Sequence, residues 1–325
     1  MSVTRKILIL AFFILVVVEL VIFIPESVDV IKDYSDLSQI DPSEDVEQDM
    51  KGVHLIEASE GQKEWELWAE NATSYKSKAE WNLKEIRVKF FGQKGVFYDV
   101  YGENGKITMA DKNIEILGEV KLISSNGYRF FTNKILYSSE GRLIEAPKIV
   151  KMLGPKTKVR GDELSLVGNR MNIHIQESRM EVLGNIRANK VIENRRKIKI
   201  KSELALFSGR SNEVIFEKNV VVDVNSIRVT GPKAQFVYKQ ETSEIDYVSF
   251  DGGVRLSDKN KWATSQKLEA FVSQNKFIFK GNPRLVQGAD ELQGQEIVLI
   301  DGGNLVKVVK ANANIDKERL QESKE

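Results

Sequence analysis

Ile114-Glu-Ile-Leu-Gly118-Glu-Val120-Lys-Leu122 alternates apolar and polar residues, turns at a glycine, and alternates again. The phrase returns as Met180-Glu-Val-Leu-Gly184-Asn-Ile186-Arg-Ala188 and as Val214-Ile-Phe-Glu-Lys-Asn219-Val220-Val-Val222. Two more copies follow, Val248-Ser-Phe-Asp-Gly-Gly253-Val254-Arg-Leu256 and Phe277-Ile-Phe-Lys-Gly281-Asn-Pro283-Arg-Leu285. Alternation with period two puts side chains of like character on one face of a strand. A central Gly or Asn bends that strand, because both tolerate left-handed backbone. From Gly184 onward the copies fall roughly 28 to 35 residues apart, a period of stacked supersecondary units. Function is therefore expected along an extended β-surface, not in one knot of catalytic side chains.

The rest of the chain reads the same way. Ile86-Arg-Val-Lys-Phe90, Leu164-Ser-Leu166 and Ile173-His-Ile175 alternate, and Asn104-Gly105, Asn126-Gly127, Gly154-Pro155, Gly231-Pro232 and Gly302-Gly303 punctuate them as turns. No helical period stands out between residues 51 and 310. The expected fold is all-β and antiparallel with short strands, as a sandwich, a jelly roll or a solenoid-like extension of one.

Composition narrows the chemistry. The chain has 325 residues, room for an anchor and about two modest domains. Cysteine is absent, which removes disulfides, thiolate catalysis and Cys-ligated metals together. His54 and His174 are far apart, and His174 lies in an alternating run that turns it outward. There is no G-x-x-x-x-G-K-[ST], G-x-S-x-G or H-E-x-x-H. No enzyme activity, metal or cofactor is expected, and no nucleic-acid partner.

Ile7 to Ile24 is an apolar run broken only by Glu19, close to the roughly 20 residues that cross a bilayer. Arg5 and Lys6 precede it, so the positive-inside rule places the amino terminus in the cytoplasm. Ile24-Pro25-Glu26-Ser27-Val28 makes a poor cleavage site, favouring an uncleaved anchor over a signal peptide. Glu19 faces either a partner helix in the membrane or headgroup water at the outer interface. Residues 25–50 hold nine acids against Lys32 alone and read as an extended tether. Beyond residue 50 the chain is net basic. Arg195-Arg196-Lys197 with Lys199 and Lys201 marks a junction between two modules. It is open whether these residues bind phosphate or form a solvated linker with edge-strand lysines that discourage pairing.

Trp65-Glu-Leu67-Trp-Ala69-Glu-Asn-Ala72-Thr-Ser-Tyr75 resembles the opening strand of the LptC family, the bitopic periplasmic component of the lipopolysaccharide export machine. The likeness continues through Leu83-Lys-Glu-Ile86-Arg-Val88-Lys-Phe-Phe91, Gly102-Glu-Asn-Gly105-Lys-Ile107, Phe131-Thr132-Asn-Lys-Ile-Leu-Tyr137 and Val159-Arg-Gly161-Asp-Glu-Leu164. Ile200-Lys-Ser-Glu-Leu-Ala205, Val229-Thr230-Gly-Pro-Lys-Ala234-Gln-Phe-Val-Tyr238 and Leu292-Gln-Gly294-Gln-Glu-Ile297 resemble instead the OstA-like or LptA-like bridge module. The departure from either pattern is the fusion.

The resemblance implies two antiparallel β-jelly rolls stacked end to end after an N-terminal transmembrane helix. The expected boundaries are a stub and helix at 1–24, a tether at 25–50, an LptC-like jelly roll at 51–192, a junction at 193–199, an LptA-like jelly roll at 200–311 and a charged tail at 312–325. It implies an inner-membrane, single-pass protein with its β-region in the periplasm, carrying the acyl chains of lipopolysaccharide in an apolar groove. The implied partners are lipopolysaccharide, subunits of an inner-membrane ABC transporter, and a bridge protein or outer-membrane translocon component met end to end. Alternation nominates the groove side chains: Ile86, Val88, Phe90, Ile114, Ile116, Val120, Leu122, Ile173 and Ile175, then Val220, Val222, Val224, Ala234, Phe236, Tyr238, Phe277 and Phe279. Alternation alone equally suits a dry packed core. Glu19 is the candidate transmembrane contact. The rival reading is a membrane-anchored β-scaffold of adhesin-like type that binds protein or polysaccharide.

Overall fold

The structure is a computed structural model that describes residues 46–59, 61–75, 78–155, 163–192, 196–208, 210–239, 244–259, 261–301 and 305–314. The expected anchor, Glu19 and nearly all of the tether lie outside the described residues. No helix among the described residues is long and apolar enough to cross a membrane.

The strands are β1 (Val46–Ser59), β2 (Gln62–Tyr75), β3 (Lys78–Phe91), β4 (Phe97–Thr108), β5 (Ile114–Ser124) and β6 (Arg129–Ser138). Four short ones follow, β7 (Leu143–Ala146), β8 (Val150–Leu153), β9 (Ser165–Gly168) and β10 (Arg170–His174). Then come β11 (Arg179–Ile192), β12 (Arg196–Ser208), β13 (Glu213–Val224), β14 (Ile227–Tyr238), β15 (Ile245–Asp258) and β16 (Lys261–Phe271). The last are β17 (Lys276–Lys280), β18 (Arg284–Gln287), β19 (Asp290–Gln293), β20 (Glu296–Ile300), β21 (Leu305–Val309) and β22 (Asn312–Asn314). All pairings are antiparallel, and each of β1 to β6 pairs with the next, as does each of β11 to β16.

The repeated phrase is a bent strand. In β11 the register slips between Leu183 and Ile186, where Gly184 and Asn185 take φ of 76° and 50°. In β13 it slips between Glu217 and Val220, at Lys218 and Asn219 with φ of 65° and 57°. The bulge lets one strand leave its first ladder and enter a second. The halves before and after the bend therefore form two separate runs of pairings. Where one strand cannot serve both runs, two short ones do: β7 and β8 divide the partners of β6, and β17 and β18 those of β16.

Each run has an unbroken apolar inner row. One reads Ile114, Tyr137, Ile144, Ile173, Met180, Phe207, Val214, Phe236 and Val248, each directly paired with the next. The other reads Leu67, Val88, Val100, Leu122, Phe130, Met152, Leu166, Ala188, Ile200, Val222, Val229, Leu256 and Ala263. All of these side chains are buried and belong to one hydrophobic cluster. Fully burying a side chain of this kind contributes about 1.5–3 kcal/mol, so the two facing rows supply much of the stability.

Two differences from the sequence reading have simple causes. β1 begins at Val46, inside the expected tether. None of its described side chains is fully buried: half-buried Val53 and Leu55 pack against the core, and the rest of the strand is held by its ladder to β2. The lysines 197, 199 and 201 do not mark an edge strand. β12 pairs with β11 on one side and β13 on the other, with twelve paired positions to β11 alone.

Candidate functional site

The nominated residues converge on the interior. Ile86, Val88, Phe90, Ile114, Ile116, Val120, Leu122, Ile173 and Ile175 are at most 2% exposed. They are tightly packed, as in the contact of Phe90 with Tyr137 at 4.5 Å between ring centroids. Val220, Val222, Ala234, Phe236 and Phe279 are also buried, whereas Val224, Tyr238 and Phe277 are half-buried on the rim of the same cluster.

That rim is where the interior opens. An apolar cavity of about 100 Å³ is lined by Val222, Val224, Phe236 and Phe277 from the nominated set. Ile192, Arg196, Ile198, Ile227, Val229, Val248, Phe250, Ala270, Phe271, Val272 and Asn275 complete it. The cavity lies between the two runs, at the side where the hairpins turn. Its volume is below the 300 Å³ or so of an ordinary small-ligand pocket, so it is a mouth and not a full binding chamber. Ile192, Ile227, Phe271 and Val272 escaped sequence reasoning because they sit beside turns, where alternation stops.

Among the described residues one charged side chain, Lys190, is buried in this interior. Lys190 is 6% exposed, on the inward face of β11 after Ala188, with its Nζ 5.6 Å from the Tyr238 ring centroid. Burial pushes the Tyr238 hydroxyl up strongly.

The outer faces differ in charge. One outward row reads Arg87, Tyr101, Lys121, Phe131, Lys151, Val167, Arg187, Lys201, Val221, Thr230, Arg255, Thr264 and Arg284. It holds seven cations and no acid. Arg87 binds Asp99 at 2.9 Å and Arg284 binds Glu291 at 2.7 Å, both in the adjacent row. Lys121, Lys151, Arg187 and Lys201 have no ion-pair partner among the described residues. The matching row of the other run carries Glu115, Glu145, Glu181 and Glu269. There Lys134 binds Glu115 at 2.7 Å, and Lys280 and Lys267 hold the Glu269 carboxyl below the usual carboxylate range.

Beside the mouth the basic face hollows into a polar concavity of about 830 Å³, lined by Arg196, Lys197, Lys199, Asp223, Asn225, Ser226, Arg228 and Ser257. Arg228 grips Asp223 through Nε at 2.6 Å and Nη2 at 3.1 Å. The histidines take no part. His54 stacks on Trp68 at 5.0 Å, and half-buried His174 stands 3.7 Å from Glu181, its pKa lowered by burial and by Arg179. No group of side chains that could hold a metal occurs among the described residues.

Residues 8–191 match the family model of lipopolysaccharide-assembly, LptC-related proteins. The chain belongs to that family. Residues 199–301 match a second model, the LptA/(LptD N-terminal domain) LPS transport protein, so an LptC module is fused here to an LptA-like one. These families are transport-bridge components and not enzymes. Among solved structures the LptC-family chain is similar to LptH, the LptA homologous periplasmic component of the lipopolysaccharide transport device of Pseudomonas aeruginosa. The identity is 16% and the TM-score 0.34, over 37% of this chain and 94% of that one. No curated protein matches the sequence. The join between the two family matches falls in the β11–β12 hairpin, across which Met180 pairs with Phe207 and Ala188 with Ile200.

Proposed function

We propose that this chain carries lipopolysaccharide from an inner-membrane ABC transporter toward the outer membrane, with acyl chains held between the two apolar rows. The two family-matched parts, each holding a share of both runs, are read as two jelly rolls, 51–192 and 200–311, joined at 193–199, with the tail at 312–325 beyond them. Residues 1–24 anchor the chain in the inner membrane with the amino terminus cytoplasmic, Glu19 meets a partner there, and 25–50 is the tether.

Both families transport lipopolysaccharide, and the physical task accounts for the architecture. Each buried CH₂ contributes about 0.8 kcal/mol, so an acyl chain of about twelve carbons resists entering water by about 10 kcal/mol. An apolar interior replaces the bilayer for the acyl chains while sugars remain in water. The observation that carries the proposal is that both inner rows cross the module join as buried apolar pairs, Met180 with Phe207 and Ala188 with Ile200. Energy comes from the transporter. The exposed edges of β1 at one end and β21 at the other suit end-to-end strand addition to partner components.

The close packing of the first module favours a second reading, a rigid scaffold that carries no lipid. Photo-crosslinking in cells from Phe277 and Val224, at the mouth, and from Val120, deep in the first module, separates the two. Lipopolysaccharide adducts at the mouth and at Val120 are expected for a conduit. No adduct at any of the three positions supports the scaffold.

A further inference from the structure

We propose that the basic concavity outside the mouth is a subsite for the phosphorylated sugar headgroup of the glycolipid whose acyl chains enter the cavity. The proposal rests on the lipopolysaccharide reading above and adds to it where the polar half of the ligand is held.

Arg196 lines both the apolar cavity and the polar concavity, so the two adjoin at one residue. β12 then presents its two faces to two different chemistries. Ile198 and Ile200 point inward and are buried, while Lys197, Lys199 and Lys201 point outward and are exposed. Successive ammonium groups stand about 7 Å apart along the strand. An amphiphile whose acyl chain occupies the cavity leaves its sugars at the rim, beside Arg196.

Charge selects an anion. Lys197 and Lys199 line the concavity with Arg196 beside them, and its single carboxylate, Asp223, is already gripped by Arg228 through two hydrogen bonds. Lys197 and Lys199 have no ion-pair partner among the described residues. Like charges crowded in this way repel one another until an anion joins them, and phosphate oxygens accept strong charge-assisted hydrogen bonds from Lys and Arg. Asn225, Ser226 and Ser257 add neutral groups suited to sugar hydroxyls. A volume of about 830 Å³ is ample for such a headgroup. The opposite lip, at Phe271, Val272 and Asn275, has one cation beside it, Lys276, whose Nζ stands 5.7 Å from the Phe271 ring centroid.

The test uses the full chain in detergent and two probes, lipid A with its phosphates and lipid A stripped of them. The variants are K197E/K199E and the charge-preserving K197R/K199R, both altered only at outward positions, with folding checked by thermal melting. Wild type and K197R/K199R should bind the phosphorylated lipid at least roughly tenfold more tightly than the stripped one. K197E/K199E should lose that preference while binding the stripped lipid as wild type does. Equal loss for both lipids, or no loss for either, overturns the proposal. So does a K197E/K199E variant that keeps its lipid A preference yet stops binding phosphatidylglycerol vesicles, since the face would then dock on membrane. If neither lipid crosslinks from Phe277 in any variant, the transport reading fails. Binding of an unacylated phosphorylated disaccharide by wild type but not by K197E/K199E would even then uphold the anion subsite.

Discussion

Phe207 meets Tyr128 edge-on across the module join, with ring centroids 5.2 Å apart and planes inclined at 63°. Tyr128 belongs to the LptC-matching part and Phe207 to the LptA-like part, and Phe130 adds a second edge contact to Phe207 at 6.4 Å. Nearby, Asn126 donates to the Ser208 carbonyl at 2.9 Å. The two modules thus share one core at their boundary.

Phe207→Ala should therefore destabilise both modules together. Removing a fully buried phenylalanine costs about 3–5 kcal/mol. Chemical denaturation followed by tryptophan fluorescence and by far-UV circular dichroism should show one shared transition at lower denaturant. A variant in which only the second module unfolds early would show that the join is not a shared core.

Position decides what a charge does in the interior. Phe236 is 1% exposed and packs edge-on to Phe216 at 5.5 Å, so Phe236→Glu should cost several kcal/mol and abolish folding. Phe277 is half-buried at the mouth, where a glutamate can reach water. Phe277→Glu should fold and lose lipid crosslinking. Normal crosslinking by a folded Phe277→Glu protein would remove the mouth from the lipid path.

Alkaline pH should unfold the protein through its buried tyrosines. Burial, reinforced by the nearby Glu64 carboxylate, pushes the Tyr137 hydroxyl up from 10.0 to about 12. The neutral form is favoured in the folded state, so between about pH 10 and 12 the unfolded chain binds fewer protons than the native one. Stability is full below about pH 10 and falls as pH rises through that window. Tyr137→Phe should flatten the fall, as read from melting temperature against pH.

The inner rows were legible because alternation survives in every copy of the phrase, and the bends because Gly184-Asn185 and Lys218-Asn219 sit at each centre. β1 was partly hidden, since its inward alternation is confined to Val53 and Leu55, which pack on the core, while its ladder to β2 holds the rest. The cationic outer row was hidden for another reason. Arg87, Lys121, Lys151, Arg187 and Lys201 lie on five different strands, and only the register brings them into line. Lys190 follows Ala188 at the same alternation, and it is the strand's place in the fold that brings its Nζ to Tyr238.

The join itself invites the last experiment. A flexible Gly/Ser insertion near Asn194 would be the natural way to let two modules drift apart if a linker connected them. Here the flanking residues are paired strands, from Ile192 with Arg196 to Arg179 with Ser208, so an insertion at that point only lengthens a hairpin turn. Each doubling of such a loop costs roughly 0.6 kcal/mol, too little to open twelve paired positions. The insertion should leave lipopolysaccharide transfer near the wild-type level. Leu206→Pro should not, because Leu206 pairs with Glu181 on one side and Ile215 on the other, and proline in a central strand removes a ladder hydrogen bond. Transfer is expected to fall sharply in that variant, with the inner row through Met180 and Phe207 broken at the boundary. Loss of transfer on inserting at Asn194, with the hairpin still protected from amide exchange, would mean that the turn itself makes a contact needed for export.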